Sequence, residues 1–132
     1  MAKILIVEDD TALREIYTAG LQAETFQVVT ASDGEEALAT AVRERPDLIV
    51  LDVMMPKISG FDVLDILRST PETKDVKVIM MTALSQDTDR ARGESLGVNQ
   101  YLVKSQVTLP DMIATVKKEL AVSGEVAPKP AA

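Results

Sequence analysis

The sequence predicts an α/β domain in which one parallel sheet is covered by helices on both faces. Short apolar runs alternate with segments of helical periodicity in strand–helix units of roughly 22 residues, which favours a parallel sheet with right-handed crossovers. The run Leu48–Asp52 places four consecutive apolar residues before a carboxylate. Such a run is typical of a strand that is buried on both faces at the centre of a parallel sheet.

Composition narrows the classes of function. A chain of 132 residues is expected to form one domain, and it contains neither cysteine nor histidine. Disulfides, thiolate metal sites and imidazole bases are therefore excluded. The net charge of −7 argues against direct nucleic-acid binding. No run reaches the roughly 18 apolar residues of a membrane span, and no signal peptide precedes the first strand, so we expect a soluble cytoplasmic protein without a membrane anchor.

The first elements are a strand, a helix and a second strand. Ile4–Val7 is apolar and ends in three acidic residues, which predicts a buried strand with an acidic C-terminal end. Asp10 is expected to cap the helix that follows. The apolar residues of that helix recur at helical spacing, namely Leu13, Ile16, Tyr17 and Leu21. Phe26–Ala31 alternates in part, as a strand at the edge of a sheet does.

A capping signal opens the second helix. Asp33 with Glu36 three residues later resembles a capping box, and the helix is expected to end before Pro46. Its apolar face consists of Ala37, Leu38, Ala41 and Val42. Leu48–Asp52 then forms the third strand.

The next segment contains the third helix, the fourth strand and the fourth helix. Ser59 and Asp62 mark the start of a helix that ends before Pro71 and buries apolar residues, namely Phe61, Leu64 and Leu67. Val76–Thr82 is predicted to be the fourth strand. Residues 87–96 predict a polar helix whose apolar face is limited to Ala91 and Leu96.

The last elements are a short strand, a capped helix and a tail. Tyr101–Val103 predicts the fifth strand, and Thr108 with Asp111 caps the final helix. The apolar stripe of that helix consists of Leu109, Met112, Ile113, Val116 and Leu120. We expect residues 1–122 to form the domain and residues 123–132, which are rich in Ala and Pro, to form a disordered tail or part of a linker.

Chemistry-bearing side chains end several of these strands. Because parallel strands end at one edge of a sheet, Glu8, Asp9, Asp52, Thr82 and Lys104 are expected to lie close together. Three neighbouring carboxylates repel one another, and a hard cation such as Mg²⁺ relieves that repulsion. With an ammonium and a hydroxyl nearby, such a site suits an incoming phosphoryl group, for which Asp52 is the candidate nucleophile.

These residues resemble the motif set of the response-regulator receiver domain of two-component signalling. The resemblance is carried by Glu8-Asp9, the pattern Asp-x-Met-x-Pro-x-x-x-Gly that begins at Asp52, Thr82-Ala83, Tyr101 and Lys104, and it covers residues 3 to about 121. It implies a flavodoxin-like fold of five parallel strands in the order 2-1-3-4-5.

The resemblance also implies roles at the site. Asp52 would accept a phosphoryl group from the phosphohistidine of a sensor histidine kinase or from a phosphotransfer protein. Glu8, Asp9, Asp52 and the backbone carbonyl of Met54 would hold Mg²⁺, while Lys104 would contact the phosphoryl oxygens. The domain would catalyse only its own phosphorylation and dephosphorylation.

A switch is implied as well. Thr82 would move toward the phosphoryl group and Tyr101 would turn inward, which would change a surface formed by the fourth helix, the fifth strand and the fifth helix. That surface would dock a downstream protein partner, with the chain a monomer or a weak phosphorylation-dependent dimer.

The sequence departs from the family pattern at two places. Ser105 replaces the usual proline after Lys104, so we expect a trans peptide bond there. Asn99-Gln100 replaces an acidic pair that is common in transcription-factor receivers, which argues against assuming their dimer mode. Met54 and Leu84 are apolar, and we expect them to restrict attacking water and prolong the life of the phosphoryl group.

Three other functions compete with the receiver interpretation. A haloacid-dehalogenase-type phosphatase needs a second acid two residues after its nucleophile, where this chain has Met54. A flavodoxin-like cofactor binder needs a glycine-rich loop after the first strand, where this chain has three acidic residues. A receiver that functions without phosphorylation is the alternative that the sequence leaves open.

Overall fold

In a computed structural model, which describes residues 2–83 and 87–123, five strands alternate with five helices. The strands are β1 (Lys3–Val7), β2 (Gln27–Ala31), β3 (Leu48–Asp52), β4 (Lys77–Thr82) and β5 (Gln100–Val103). The helices are α1 (Thr11–Ala23), α2 (Gly34–Glu44), α3 (Gly60–Ser69), α4 (Asp87–Ser95) and α5 (Leu109–Ser123). A short 3-10 turn that the sequence did not predict, Lys104–Gln106, lies between β5 and α5.

The strands form one parallel sheet in the order β2-β1-β3-β4-β5, which confirms the predicted fold. The central strand β3 pairs with β1 on one side and β4 on the other, and all five of its residues are buried. One apolar cluster lies between the sheet and α2 and α3, and a second lies between the sheet and α1 and α5. The edge of the sheet that carries the candidate site residues is therefore formed by the C-terminal ends of β1, β3, β4 and β5.

Local capping follows the sequence signals. The side chains of Asp10, Asp33 and Ser59 accept hydrogen bonds from backbone N–H groups in the first turns of α1, α2 and α3. Thr108 and Asp111 cap α5 reciprocally, because each backbone N–H donates to the other's side chain. Asp10 thus serves as the helix cap that was expected of it.

Some predicted core positions lie on the surface. Ile16 in α1 and Val42 in α2 are 51% and 42% exposed, because each lies at the margin of its helix's apolar stripe. In α4, Gly93 is buried, whereas the predicted apolar residue Ala91 is exposed. The spacing of apolar residues therefore predicts more burial for these side chains than the structure shows.

Two boundary findings complete the description. No helix in the described ranges combines the length and apolarity that crossing a bilayer requires. Helix α5 continues to Ser123, and residues 124–132, most of the predicted tail, lie outside the described residues.

Candidate functional site

Asp52 occupies the C-terminal end of the central strand, with its carboxylate at the edge of the sheet. Its side chain is 4% exposed, and its Oδ1 accepts a hydrogen bond of 3.2 Å from the backbone N–H of Met54. The same oxygen lies 3.4 Å from Nζ of Lys104, which arrives from the end of β5. Asp52 is thus a buried carboxylate paired with a single ammonium group.

Gly60 fixes the loop that follows Asp52. Its N–H donates to the carbonyl of Val53 at 2.8 Å, which closes the loop at the start of α3. A Cβ at this position would lie 2.4 Å from the carbonyl oxygen of Asp52 and 2.7 Å from Cα of Val53. Only glycine permits this approach of backbone to backbone, which explains the last residue of the Asp-x-Met-x-Pro-x-x-x-Gly pattern.

Three carboxylates meet at this edge. One oxygen each from Glu8, Asp9 and Asp52 lies within 4.8 Å of the others. Glu8 is 2% exposed and accepts hydrogen bonds from Nζ of Lys104 at 3.0 Å and from the backbone N–H of Asp10 at 3.2 Å. Asp9, in contrast, is exposed at the mouth of the site.

The electrostatics of the cluster are unbalanced. Burial, followed by the neighbouring charge of Glu8, raises the pKa of Asp52 to about 7, against the opposing effect of Lys104. Burial lowers the pKa of Lys104, but its hydrogen bond to Glu8 and the charge of Asp52 outweigh this effect and raise it. One ammonium therefore does not compensate the ionised carboxylates.

The donor set fits a hard divalent cation. It consists of oxygen ligands alone, two of them buried and one open to solvent, in a region with surplus negative charge. Mg²⁺ favours such sites because it binds through a few carboxylates and retains several of its water molecules.

Thr82 and Tyr101 lie on β4 and β5, the two strands that continue the sheet beyond β3. Thr82 ends β4 and is fully buried. Tyr101 is only 5% exposed, so its ring is inward in this structure. Burial raises the pKa of Tyr101, while the nearby Thr82 hydroxyl opposes the rise. Within the described residues, the Tyr101 hydroxyl makes no hydrogen bond of acceptable geometry.

Ser105 does not disturb the pose of Lys104. The described backbone has no cis peptide bond, so the Lys104–Ser105 bond is trans, as expected. The 3-10 turn that begins at Lys104 directs the chain away from the site while the ammonium still reaches Glu8 and Asp52.

Sequence reasoning missed two neighbours of the site, Arg14 and Tyr17. Arg14 donates from Nη1 to the carbonyl of Glu8 at 2.8 Å. Burial raises the pKa of Tyr17, and Lys104, Glu8 and Asp52 are close enough to influence it. Because Arg14 and Tyr17 are three residues apart on α1, they share the helix face that follows the acidic end of β1. That spacing was the available signal, but Tyr17 was assigned to the core alone.

An open cavity of about 520 Å³ lies beside the loop that follows Asp52. Its lining includes Asp9, Met54, Phe61 and Arg92. Met54 is 56% exposed, so its thioether borders the opening of the site.

Comparisons with known proteins support the same interpretation as the geometry of the site. The sequence model of the response regulator receiver domain matches residues 4–117. The chain is 45% identical over 102 residues to a probable transcriptional regulator, ycf27, of Porphyridium aerugineum, covering 77% of this chain and 41% of that protein. It is 39% identical over 120 residues to the phosphate regulon transcriptional regulatory protein PhoB of Rhizobium meliloti, covering 91% of this chain and 52% of that protein.

Solved structures agree. The chemotaxis protein CheY4 of Vibrio cholerae superposes with a TM-score of 0.84 at 32% identity, over 89% of this chain and 98% of that one. A CheY-like receiver domain protein of Methanospirillum hungatei gives a TM-score of 0.88 at 25% identity, over 96% and 99% of the two chains.

The curated relatives are longer than this chain, which spans about half of their length or less. The chain matches one region of these longer relatives. This family match argues against the phosphatase and cofactor-binding alternatives. The chain belongs to the response regulator receiver domain family of two-component signalling.

Proposed function

We propose that Asp52 accepts a phosphoryl group from a sensor histidine kinase or a phosphotransfer protein. In this proposal Glu8, Asp9, Asp52 and the backbone carbonyl of Met54 hold Mg²⁺. The observation that carries it is the buried Asp52 carboxylate, 3.4 Å from Lys104 and within 4.8 Å of two further carboxylates. A purely structural ion pair would not need three acids around one ammonium.

The residues present can perform the transfer. An oxygen of the Asp52 carboxylate forms the new bond to phosphorus while the bond from phosphorus to the donor's imidazole nitrogen breaks, and the nitrogen keeps that electron pair. Lys104 stabilises the charge on the phosphoryl oxygens. Bound Mg²⁺ would supply further positive charge against the same oxygens and the acidic cluster.

The ionisation of Asp52 governs its reactivity, because only the carboxylate is the nucleophile. With a pKa of about 7 in the absence of a cation, a substantial fraction is protonated at neutral pH. Positive charge near the cluster favours the ionised form. The requirement for a divalent cation therefore follows partly from the need to keep Asp52 ionised.

The test is intact mass after incubation with a small phosphodonor, with and without Mg²⁺. The variants are Asp52→Asn and the control Asp65→Asn, which changes an exposed acid on α3. We expect one phosphoryl group to be gained by the parent chain and by the control, in Mg²⁺ only. A folded parent chain that gains none would indicate a receiver that works without phosphorylation.

We further propose that phosphorylation alters a surface formed by α4, β5 and α5, to which a downstream protein partner docks. Thr82 ends β4, which pairs with the strand that carries Asp52, and Tyr101 lies on β5 within this surface, which supports a role for both in relaying the change. On the same surface, Asn99 Oδ1 accepts from the N–H of Val78 at 2.7 Å, and Gln100 Nε2 donates to Glu119 at 2.6 Å. These internal contacts support a monomer or a weak phosphorylation-dependent dimer, which sedimentation before and after phosphorylation would measure.

The remaining proposals concern the extent and setting of the domain. Residues 1–122 would form the receiver and residues 123–132 a tail or linker, and the domain would act in the cytoplasm. RpaA of Synechocystis is described as a DNA-binding regulator, and the chain spans 48% of it. With a net charge of −7, this receiver would not itself contact nucleic acid. Its catalysis would be confined to gaining and losing its own phosphoryl group.

A further inference from the structure

Helix α4 has almost no apolar face with which to attach to the domain. Ala91 is exposed, and Leu96, which is partly buried against the core, lies just beyond the end of the helix at Ser95. Gly93 is buried but has no side chain. A surface helix is normally held by an apolar stripe along one side. Contacts other than an apolar stripe therefore contribute to holding α4 against the domain.

Two arginines make such contacts. Cζ of Arg90 lies 5.0 Å from the centroid of the Tyr101 ring, and its Nη1 donates to the backbone carbonyl of the same tyrosine at 3.2 Å. Cζ of Arg92 lies 4.5 Å from the centroid of Phe61 on α3, and its Nη2 is 3.8 Å from a carboxylate oxygen of Asp62. Both distances to a ring are within the range of cation–π attraction.

Tyr101 is enclosed by these contacts on the edge strand β5. Arg90 covers one part of the ring, and Gly93 lies so close that a Cβ there would be 3.2 Å from Cδ2 of Tyr101. The hydroxyl is buried without a hydrogen bond in the described part of the chain, which opposes burial of the side chain. The ring is nevertheless inward, because it packs in the apolar cluster that also contains α2 and α3 side chains, and Arg90 and Gly93 of α4 close over it.

We propose that Arg90 is a positioning residue that holds Tyr101 in its buried position before any phosphoryl group arrives. A surface arginine that only laid its stem on apolar neighbours would not engage both the ring and the carbonyl of one residue. The signalling consequence rests on the proposed function: phosphorylation would act on a Tyr101 that is already inward. The change would then lie mainly in α4.

The chain offers a direct probe, because it contains two tyrosines and no tryptophan. In a Tyr17→Phe background, all tyrosine fluorescence comes from Tyr101, and quenching by acrylamide measures its accessibility. We expect Arg90→Leu to raise the quenching constant by at least roughly twofold, since the cation that covers the ring is lost. Arg90→Lys should give an intermediate value, because an ammonium can cover the ring but cannot fork to the carbonyl.

The matched control is Arg43→Leu, which removes an exposed arginine from α2, and it should leave quenching unchanged. Arg90 is itself exposed, so Arg90→Leu is expected to fold, and far-UV circular dichroism checks this. Equal quenching in Arg90→Leu and its parent overturns the proposal. The Arg90→Lys variant provides the same test should the leucine variant fail to fold.

Arg92→Leu separates positioning of Tyr101 from general attachment of α4. Both Arg90→Leu and Arg92→Leu should speed amide hydrogen exchange in α4, because each removes one attachment. Only Arg90→Leu should strongly increase the quenching of Tyr101. If Arg92→Leu exposes the tyrosine equally, ring burial depends on α4 as a whole and the specific role of Arg90 is refuted.

A final arm adds the phosphodonor and Mg²⁺, with uptake followed by intact mass. The quenching constant of the parent should change little, whereas that of Arg90→Leu should fall toward the parent as the phosphoryl group is gained. A large fall in the parent contradicts the proposal. Absence of any mass gain contradicts the proposed function instead, and it leaves the result obtained without phosphodonor intact.

Discussion

At the scale of single residues, the Asp52 carboxylate is buried beside Glu8, and the positive charge of Lys104 does not fully offset the two negative charges. Its pKa of about 7 reflects burial first and the charge of Glu8 second, with Lys104 opposing both. In the folded state, Asp52 therefore keeps its proton up to about pH 7. In the unfolded state, its carboxyl pKa is near the usual 3.8, so the proton is released at lower pH. Between these values the free energy of unfolding falls as pH rises.

Asp52→Asn should consequently stabilise the domain at neutral and higher pH when a chelator removes divalent cations. One unit of pKa shift corresponds to about 1.4 kcal/mol, so we expect a gain of about 1–3 kcal/mol above pH 7. The gain should shrink as pH falls toward about 4, where Asp52 is protonated in both states. Urea unfolding across this pH range measures it, and parallel profiles for the two proteins would contradict the assignment of the pKa to Asp52.

Met54 gives a second prediction at this scale. Its side chain is 56% exposed at the opening beside Asp52, where an apolar group disfavours an ordered attacking water. Met54→Asn should therefore shorten the lifetime of the phosphoryl group by roughly threefold or more, since a general hydrogen-bonding contribution is about 1 kcal/mol. Decay of the phosphorylated species by intact mass measures this, with Met54→Leu as the apolar control.

Equal or slower decay in Met54→Asn would contradict this role of the methionine. Leu84, which was expected to act in the same way, lies outside the described residues.

At the scale of elements, one arginine unites three segments at the edge of the sheet opposite the site. Arg68 on α3 donates to the carbonyls of Val76 at 2.8 Å, Lys74 at 3.1 Å and Gly97 at 2.9 and 3.2 Å. It also donates to Oδ1 of Asn99 at 3.3 Å. These bonds fix the end of the α4–β5 connection against α3.

Arg68→Ala should lower the free energy of unfolding by about 1–2 kcal/mol, because the partly buried bond to Val76 and the exposed bonds to Lys74 and Gly97 are all lost. Arg68→Lys should recover only part of this loss, since a single ammonium cannot reproduce the planar fork. Phosphoryl uptake at Asp52 should persist in both folded variants, because the site lies at the other edge. Urea unfolding with Arg43→Ala as the control measures the effect, and a loss no larger than the control's would refute it.

Elements were predicted well where their determinants are local. The caps formed by Asp33, Ser59 and Thr108 depend on residues within one helical turn, and the burial of Leu48–Asp52 follows from its own composition. The role of Arg68 could not be predicted in this way, because its partners are brought to it by the crossover of α3 to β4 and by the turn before β5.

The candidate site divides along the same line. Glu8, Asp9, Asp52 and Lys104 converge because parallel strands end together, which the order of strands and helices already implies. The surroundings of Tyr101 could not be predicted in this way, because its ring meets a core cluster together with Arg90 and Gly93 of α4, a helix with a weak apolar signal.

At the scale of the whole molecule, negative charge is the dominant electrostatic feature. The chain carries a net charge of −7, and three of its carboxylates are concentrated at one edge of the sheet. A cation that binds the native cluster but not the unfolded chain must raise stability by mass action. Ionic screening alone would act on the surface charges more evenly.

Mg²⁺ at about ten times its dissociation constant should therefore raise the melting temperature by about 3–6 °C, whereas NaCl of equal ionic strength should raise it less. Asp9→Asn should weaken the effect of Mg²⁺, since it removes the exposed ligand without disturbing the buried pair of Glu8 and Lys104. Thermal melts in the two salts measure the difference. An equal response to both salts would contradict a specific cation site.

The exposed thioether of Met54 also allows the accessibility of the site to be measured by oxidation, without any phosphorylation. Met80, Met81 and Met112 are at most 3% exposed, so a mild peroxide should convert Met54 to its sulfoxide well before these three. Each oxygen gained adds a defined mass, and fragmentation of the peptide is needed to separate Met54 from its half-buried neighbour Met55. Any partner that covers the mouth of the site should slow that reaction, so the protein carries its own footprinting label at the place where the proposed phosphodonor would approach.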